Sequence, residues 1–261
     1  MTLIGKVAFV SGASRGIGRA IAEALAQAGA DVALNFNTHP KEAEQVAQVV
    51  RAAGRRALLC PGDVADCAVV EGMITSAACE LGSVDIAIAN AAYSDRAPFY
   101  EADLAKFHRT IDVTMWGSFY LFRAAARQMI AQGQGGAIIG ISSPHAFMPV
   151  ARSMAYNMAK AAMDQMAKTA ALELAEHRIR VNLVHPGWTD TPGERESAGE
   201  EELAKAGANT VWGRLARPEE IARGVVFMCD PASDYLTGSS LLIDGGHTLP
   251  WWTRKSAQPG A

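Results

Sequence analysis

Cysteine is scarce in this chain and never closely spaced. The four thiols, Cys60, Cys67, Cys79 and Cys229, form no Cys-x-x-Cys pair, and no histidine spacing nearby completes a zinc set. That argues against a disulfide-stapled scaffold and predicts reduced thiols and no bound metal. An excess of positive charge is also missing. Lys and Arg total 24 against 27 Asp and Glu, a formal net charge of -3. A nucleic-acid binder needs a basic face that releases counterions, so none is expected here as a partner. No apolar run approaches the ~18 residues of a spanning helix. The first such run, Val7-Ala8-Phe9-Val10, is too short for a signal-peptide core. Internal repeats and low-complexity segments are absent as well. Together these absences predict a cytoplasmic protein that contacts neither membrane nor nucleic acid.

What remains is an ordinary globular composition, 49% hydrophobic and 20% charged over 261 residues. Short runs rich in Val, Ile and Leu alternate with longer Ala-rich stretches of helical period. Seven such runs occur, the first near residues 6–10 and the last near 240–243, and a long helical region is expected over 104–131. Runs that are apolar throughout belong to strands buried on both faces. The alternation therefore predicts an α/β fold, a doubly wound parallel sheet of about seven strands with helices on both faces. We read residues 1–261 as a single domain. The least regular part is 188–213, expected to be a lid-like insertion because ligands bind outside carboxyl strand ends. Residues 247–261 form a tail, with Trp251-Trp252 expected to pack.

The first strand runs into Ser11-Gly12-Ala13-Ser14-Arg15-Gly16-Ile17-Gly18 and then a helix. Glycine lets a backbone approach a pyrophosphate, and the helix start offers unpaired N–H groups. Any tight strand-to-helix turn also uses glycine, so the strand before and the helix after carry the weight. The end of the second strand reads Asn35-Phe36-Asn37-Thr38-His39, with no acid to bind a ribose 2′-hydroxyl. Arg15 suits a 2′-phosphate. Both features lean towards NADP over NAD.

Tyr156 and Lys160 lie four apart on a predicted helix and share a face. A phenol ionises near ~10, and a neighbouring cation lowers that value, so the pair suits proton exchange with an alcohol or carbonyl oxygen. Alone, Tyr-x-x-x-Lys is weak evidence. Its position after the fifth strand strengthens it, as does Ser143 at that strand's end, whose hydroxyl is expected to hold the reacting oxygen.

The order Gly12-x3-Gly16-x-Gly18, Asp63-Val64, Asn90-Ala91, Ser143, Tyr156-x3-Lys160, Asn182-x3-Pro186-Gly187 and Asp244-Gly245-Gly246 resembles the short-chain dehydrogenase/reductase family, from about Leu3 to Gly246. The resemblance implies a Rossmann-like fold and an NAD(P)-dependent oxidoreductase of a small-molecule secondary alcohol or carbonyl. It implies cofactor contacts from Gly12, Ser14, Arg15, Gly16, Ile17, Gly18, Asn37, Asp63, Val64, Asn90, Ala91, Tyr156, Lys160, Pro186, Gly187, Thr189 and Thr191. It implies Tyr156 as acid/base, Lys160 as its cationic neighbour, Ser143 as the orienting hydroxyl, and a homotetramer. The chain departs from the pattern twice. Ala92 stands for the family's glycine after Asn90-Ala91, and Thr114 stands where the family carries its fourth catalytic residue, an asparagine.

Ser143-Pro144-His145 resembles the matching loop of bacterial glucose 1-dehydrogenases, which makes His145 a substrate candidate together with Asn157 and Trp188. A sugar or polyol is the leading substrate expectation. A 3-oxoacyl-(acyl carrier protein) substrate is the alternative, with Arg123 and Arg127 as part of a docking patch. A dinucleotide-sensing binding protein without turnover is the alternative of another class.

Overall fold

The computed structural model describes residues 2–208 and 210–249. Seven parallel strands form one sheet in the order β3-β2-β1-β4-β5-β6-β7. They are β1 (Val7–Val10), β2 (Asp31–Phe36), β3 (Ala57–Pro61), β4 (Ile86–Ala89), β5 (Gly136–Ile141), β6 (Ile179–Pro186) and β7 (Ser240–Ile243). The order reverses between β1 and β4, and a crevice opens at the carboxyl ends of the strands at such a reversal.

Both faces of the sheet are covered, which explains the unbroken apolar strands. Val7 and Phe9 of β1 enter one core cluster, while Ala8 and Val10 enter the other. Ile138 and Ile139 of β5 divide in the same way. One layer holds α1 (Gly16–Gln27), α2 (Pro40–Ala52) and α9 (Pro218–Cys229). The other holds α3 (Cys67–Leu81), α5 (Gly117–Gln132) and α6 (Met154–Glu173). Each fully buried Leu, Ile or Phe in these layers stabilises the fold by roughly 1.5–3 kcal/mol.

Two regions differ from expectation. The stretch 104–131 is not one helix. It divides into α4 (Leu104–Ile111), a π-helical turn (Asp112–Trp116) and α5. The turn carries Thr114, whose hydroxyl donates to the Tyr93 carbonyl at 2.9 Å and accepts from the Tyr93 amide at 3.0 Å. A widened turn of this kind frequently marks a functional site. The segment 188–213 contains α7 (Pro192–Ala198) and α8 (Glu200–Ala208). Thr191 caps α7 by accepting from the Glu194 amide, and Pro192 sits at its first position. The acids Glu200, Glu201 and Glu202 suit the positive end of α8. The Trp251-Trp252 expectation lies outside the described residues.

Candidate active site

The glycine loop is a cradle that side chains would fill. A Cβ on Gly18 would stand 2.1 Å from the Gly12 carbonyl oxygen. On Gly12 a Cβ would meet Ala91 at 3.1 Å, and on Gly16 it would meet Thr191 at 3.3 Å. Gly12 and Gly16 have φ of 62° and 58°, a left-handed conformation that favours glycine. No side chain caps the N-terminus of α1. A bare helix start behind a Cβ-free loop is what a pyrophosphate requires. The residues present therefore fit a dinucleotide. Ser14 is buried in the same loop, and Ile17 and Gly18 begin α1.

Neutral amides hold the loop in place. Asn90 Nδ2 donates to the carbonyls of Ser11 and Gly12 at 3.0 and 3.2 Å. Ser11 Oγ accepts from the amides of Asn90 and Ala91. On the other side Asn35 Oδ1 accepts from the Gly12 amide at 3.2 Å, while its Nδ2 donates to Cys60 and Gly62 carbonyls. Asn35 was not singled out from sequence. A buried asparagine inside an apolar strand was the signal for it. Asn90, a cofactor contact by resemblance, also braces the loop backbone through its amide.

The adenine end is more crowded than the sequence suggested. Asn37 is exposed at the end of β2, and Val64 is buried. One oxygen of Asp63 accepts from the Ala65 amide, and the other pairs with Arg109 of α4 at 2.7 Å. Arg15 pairs with Glu196 of α7 at 2.7 Å. Further round the crevice, Pro186 ends β6. A Cβ on Gly187 would lie 2.6 Å from the Asp244 backbone, so the glycine permits that approach. Thr189 is buried and donates to the Gly187 carbonyl, and Trp188 is half-buried.

The catalytic candidates converge at the ends of β5 and α6. Ser143 is buried, opens a short 3-10 turn after β5 and hydrogen-bonds with Tyr156. Lys160 is fully buried. Its Nζ donates to the Ile141 carbonyl at 2.6 Å and lies 5.3 Å from the centre of the Tyr156 ring. The His145 ring meets the Tyr156 ring edge-on at 5.2 Å, and its Nδ1 lies 2.7 Å from Asn157 Oδ1. Asn157 Nδ2 donates to the Val150 carbonyl. The amide oxygen is therefore the acceptor towards His145. That assigns the proton to Nδ1 and leaves Nε2 as an acceptor.

Burial is the largest influence on both Tyr156 and Lys160. Burial pushes the Tyr156 phenol up, and Glu194 pushes the same way, while Arg96 and the Ser143 hydrogen bond pull it down. Burial lowers the Lys160 ammonium to about 7, against an upward pull from Asp164. Arg96, which helix spacing does not reveal, is a cation that pulls Tyr156 down. Burial also holds His145 below the usual imidazole range. The Asn157 bond opposes this, and Arg96 and Lys160 reinforce it.

A doubly wound parallel sheet with a glycine cradle at its reversal defines a dinucleotide-dependent α/β enzyme. A family model described as enoyl-(acyl carrier protein) reductase matches residues 12–248. An L-rhamnose 1-dehydrogenase (NAD(P)(+)) of Sphingomonas sp. is 36% identical over 245 residues, covering 94% of this chain and 96% of the relative. A cis-4-hydroxycyclohexanecarboxylate dehydrogenase of Sinomonas cyclohexanicum is 38% identical over 244 residues, covering 93% and 96%. Glucose 1-dehydrogenase 2 of Bacillus subtilis is 30% identical over 248 residues, covering 95% and 96%. The crystal structure of a short-chain type dehydrogenase/reductase from Mycobacterium marinum superposes with a TM-score of 0.90 at 37% identity, covering 95% of this chain and 98% of that one. The chain belongs to the short-chain dehydrogenase/reductase family. It is an oxidoreductase of that family, acting between an alcohol and a carbonyl with NAD or NADP. Among the described residues no helix is long and apolar enough to cross a membrane, and no group of three or more His, Cys, Asp or Glu is arranged to hold a metal ion.

Proposed function

We propose that the chain interconverts a secondary hydroxyl and a carbonyl on a sugar or polyol, with Tyr156 as the acid/base. The observation that carries this reading is His145. Its Nε2 is a neutral acceptor beside Tyr156, held by Asn157, and a substrate hydroxyl is the donor such an atom binds. The three relatives named above are dehydrogenases of molecules bearing ring hydroxyls, which supports the same substrate class.

When bound, the nicotinamide supplies the hydride acceptor or donor. Gly12, Ser14, Arg15, Gly16, Ile17 and Gly18 would cradle the dinucleotide's phosphates, with Thr191 facing Gly16 across the crevice. Asn37, Asp63, Val64, Asn90 and Ala91 would border the adenine half of the dinucleotide, and Pro186, Gly187 and Thr189 its nicotinamide half. Ser143 donates to the substrate oxygen and fixes it against Tyr156. Tyr156 takes the hydroxyl proton on oxidation and returns one to the carbonyl on reduction. Trp188 and the segment 188–213 cover the pocket as a lid. Thr114 serves the site indirectly, since its hydroxyl is bonded to the Tyr93 backbone. NADP is favoured over NAD, because no acid ends β2 and Arg15 becomes available when it leaves Glu196.

The docking patch of the acyl-carrier alternative is reduced in charge. Arg123 and Arg127 both lie against Glu71, whose single charge offsets one of their two. The exposed apolar side chains Trp116, Phe119 and Met158 on the π-turn, α5 and α6 support a homotetramer, and a cytoplasmic location fits the free thiols. Reduced-nicotinamide absorbance tests the whole reading, with NAD and NADP each run against aldoses, polyols and 3-oxoacyl thioesters. Turnover of aldoses or polyols is expected. Turnover confined to the thioesters overturns the substrate class, and cofactor binding without any turnover returns the sensing alternative.

A further inference from the structure

Behind Lys160 lies a second buried polar cluster that the reaction scheme does not use. Asp164 is one helical turn beyond Lys160 on α6, so Tyr156, Lys160 and Asp164 follow one another at intervals of four. Ser142 Oγ, at the end of β5, donates to Asp164 Oδ1 at 2.6 Å. His185, in β6, places its Nε2 at 3.0 and 2.9 Å from the two carboxylate oxygens. Ser142 and His185 are both buried. A carboxylate that receives a hydroxyl and a ring N–H has only acceptors to offer, so the geometry fits its charged form. Two donors from two strands hold a negative charge on the helix that carries the catalytic pair.

The groups facing Lys160 can be named element by element. Tyr156 and Asp164 share α6 with it, the Ile141 carbonyl comes from β5, and His145 comes from the turn after β5. Arg96 and Glu194 lie 3.7 Å from each other and act on Tyr156. Thr114 contributes no charge, and its hydroxyl is bonded to Tyr93. Asp164 is therefore the one anion among the groups named as acting on Lys160.

We propose that Asp164 is a positioning residue for the reaction. Its carboxylate, fixed by Ser142 and His185, is the counter-charge that keeps the Lys160 ammonium in place beside Tyr156. The inference rests on the assignment of Tyr156 and Lys160 as the catalytic pair. It gives the buried His185 a role that the Pro186-Gly187 motif alone does not suggest. The His185 ring also packs edge-on against Phe147 at 5.5 Å, which ties the cluster to the loop bearing Ser143 and His145. Burial disfavours the Lys160 charge, and the upward pull of Asp164 opposes it.

The test is the pH profile of kcat in Asp164→Asn, with Tyr156→Phe measured alongside. Without the carboxylate Lys160 gives up its proton at lower pH, so the alkaline limb is expected to move down by about one pH unit. Activity at pH 9 then falls several-fold more than activity at pH 6.5. Asp164→Glu, which keeps the charge, is expected to restore the limb. If Asp164→Asn does not fold, Asp164→Ser carries the same expectation. A profile that superposes on wild type, or a kcat lowered equally at every pH, overturns the proposal. Full activity in Tyr156→Phe would instead overturn the catalytic assignment beneath it, so the two failures are distinguishable.

Discussion

The crevice has two sides, and they are built from different chemistry. At the ends of β1, β2 and β4, Ser11, Asn35 and Asn90 hold the glycine loop with neutral hydrogen bonds to backbone. On the β5–β6 side, Lys160 and His185 are ionisable and buried, and Asp164 is partly buried beside them. Neutral bonds fix shape at about 0.5–1.5 kcal/mol each and respond little to pH. Buried charges cost stability and set protonation states. The first side is a mould and the second a titrating device, so they are expected to fail in different ways.

The largest difference is expected from Lys160→Met. It removes a charge and leaves the glycine cradle intact, so kcat falls roughly 100- to 10,000-fold, while dinucleotide binding weakens far less because Lys160 is one cofactor contact among many. Stability carries a second signature. The native amine titrates near 7 and the unfolded one near 10.5, so between these values the unfolded chain holds a proton that the native chain has released. Stability from this group rises with pH across that window. Chemical denaturation at several pH values is expected to show that slope in wild type and not in Lys160→Met.

Gly18→Ala attacks the other side. The new Cβ falls on the Gly12 carbonyl, and overpacking of this kind costs about 1–3 kcal/mol. Thermal unfolding and cofactor titration are expected to show a lower Tm and weaker binding, with the pH profile of kcat unmoved. A shifted profile would erase the distinction between the two sides.

Smaller effects sharpen it. His145→Ala removes one acceptor and is expected to lower kcat/KM for hydroxyl substrates about tenfold, the size of a single good hydrogen bond, with cofactor affinity unchanged. Steady-state kinetics with an aldose checks this, and an unchanged kcat/KM would return His145 to a structural role. Glu196→Gln frees Arg15. The pair is exposed and worth at most about 1 kcal/mol, so KM for NADP is expected to fall by no more than about fivefold, with little change for NAD.

The two sides were also unequally legible. The glycine spacing and the apolar strands announced the mould, because steric need and double burial act on residue type directly. Ser143, Tyr156 and Lys160 stood at recognisable intervals, and the structure gathers them at one strand end. Their protonation states were not legible. They depend on burial and on Arg96, Glu194 and Asp164, and Arg96 and Glu194 reach Tyr156 from distant parts of the chain. The π-turn at Thr114 was hidden because helical periodicity tolerates one widened turn. The helices within 188–213 were signalled by the cap Thr191-Pro192 and the acids from Glu200 to Glu202, but the glycines and prolines around them masked it.

The account turns on a proton passing through Tyr156. The most direct measurement is kcat of Tyr156→Phe on the best sugar or polyol substrate, with dinucleotide affinity determined on the same preparation. The account predicts intact binding and a kcat lower by at least about 100-fold. Intact binding with a wild-type kcat would contradict it.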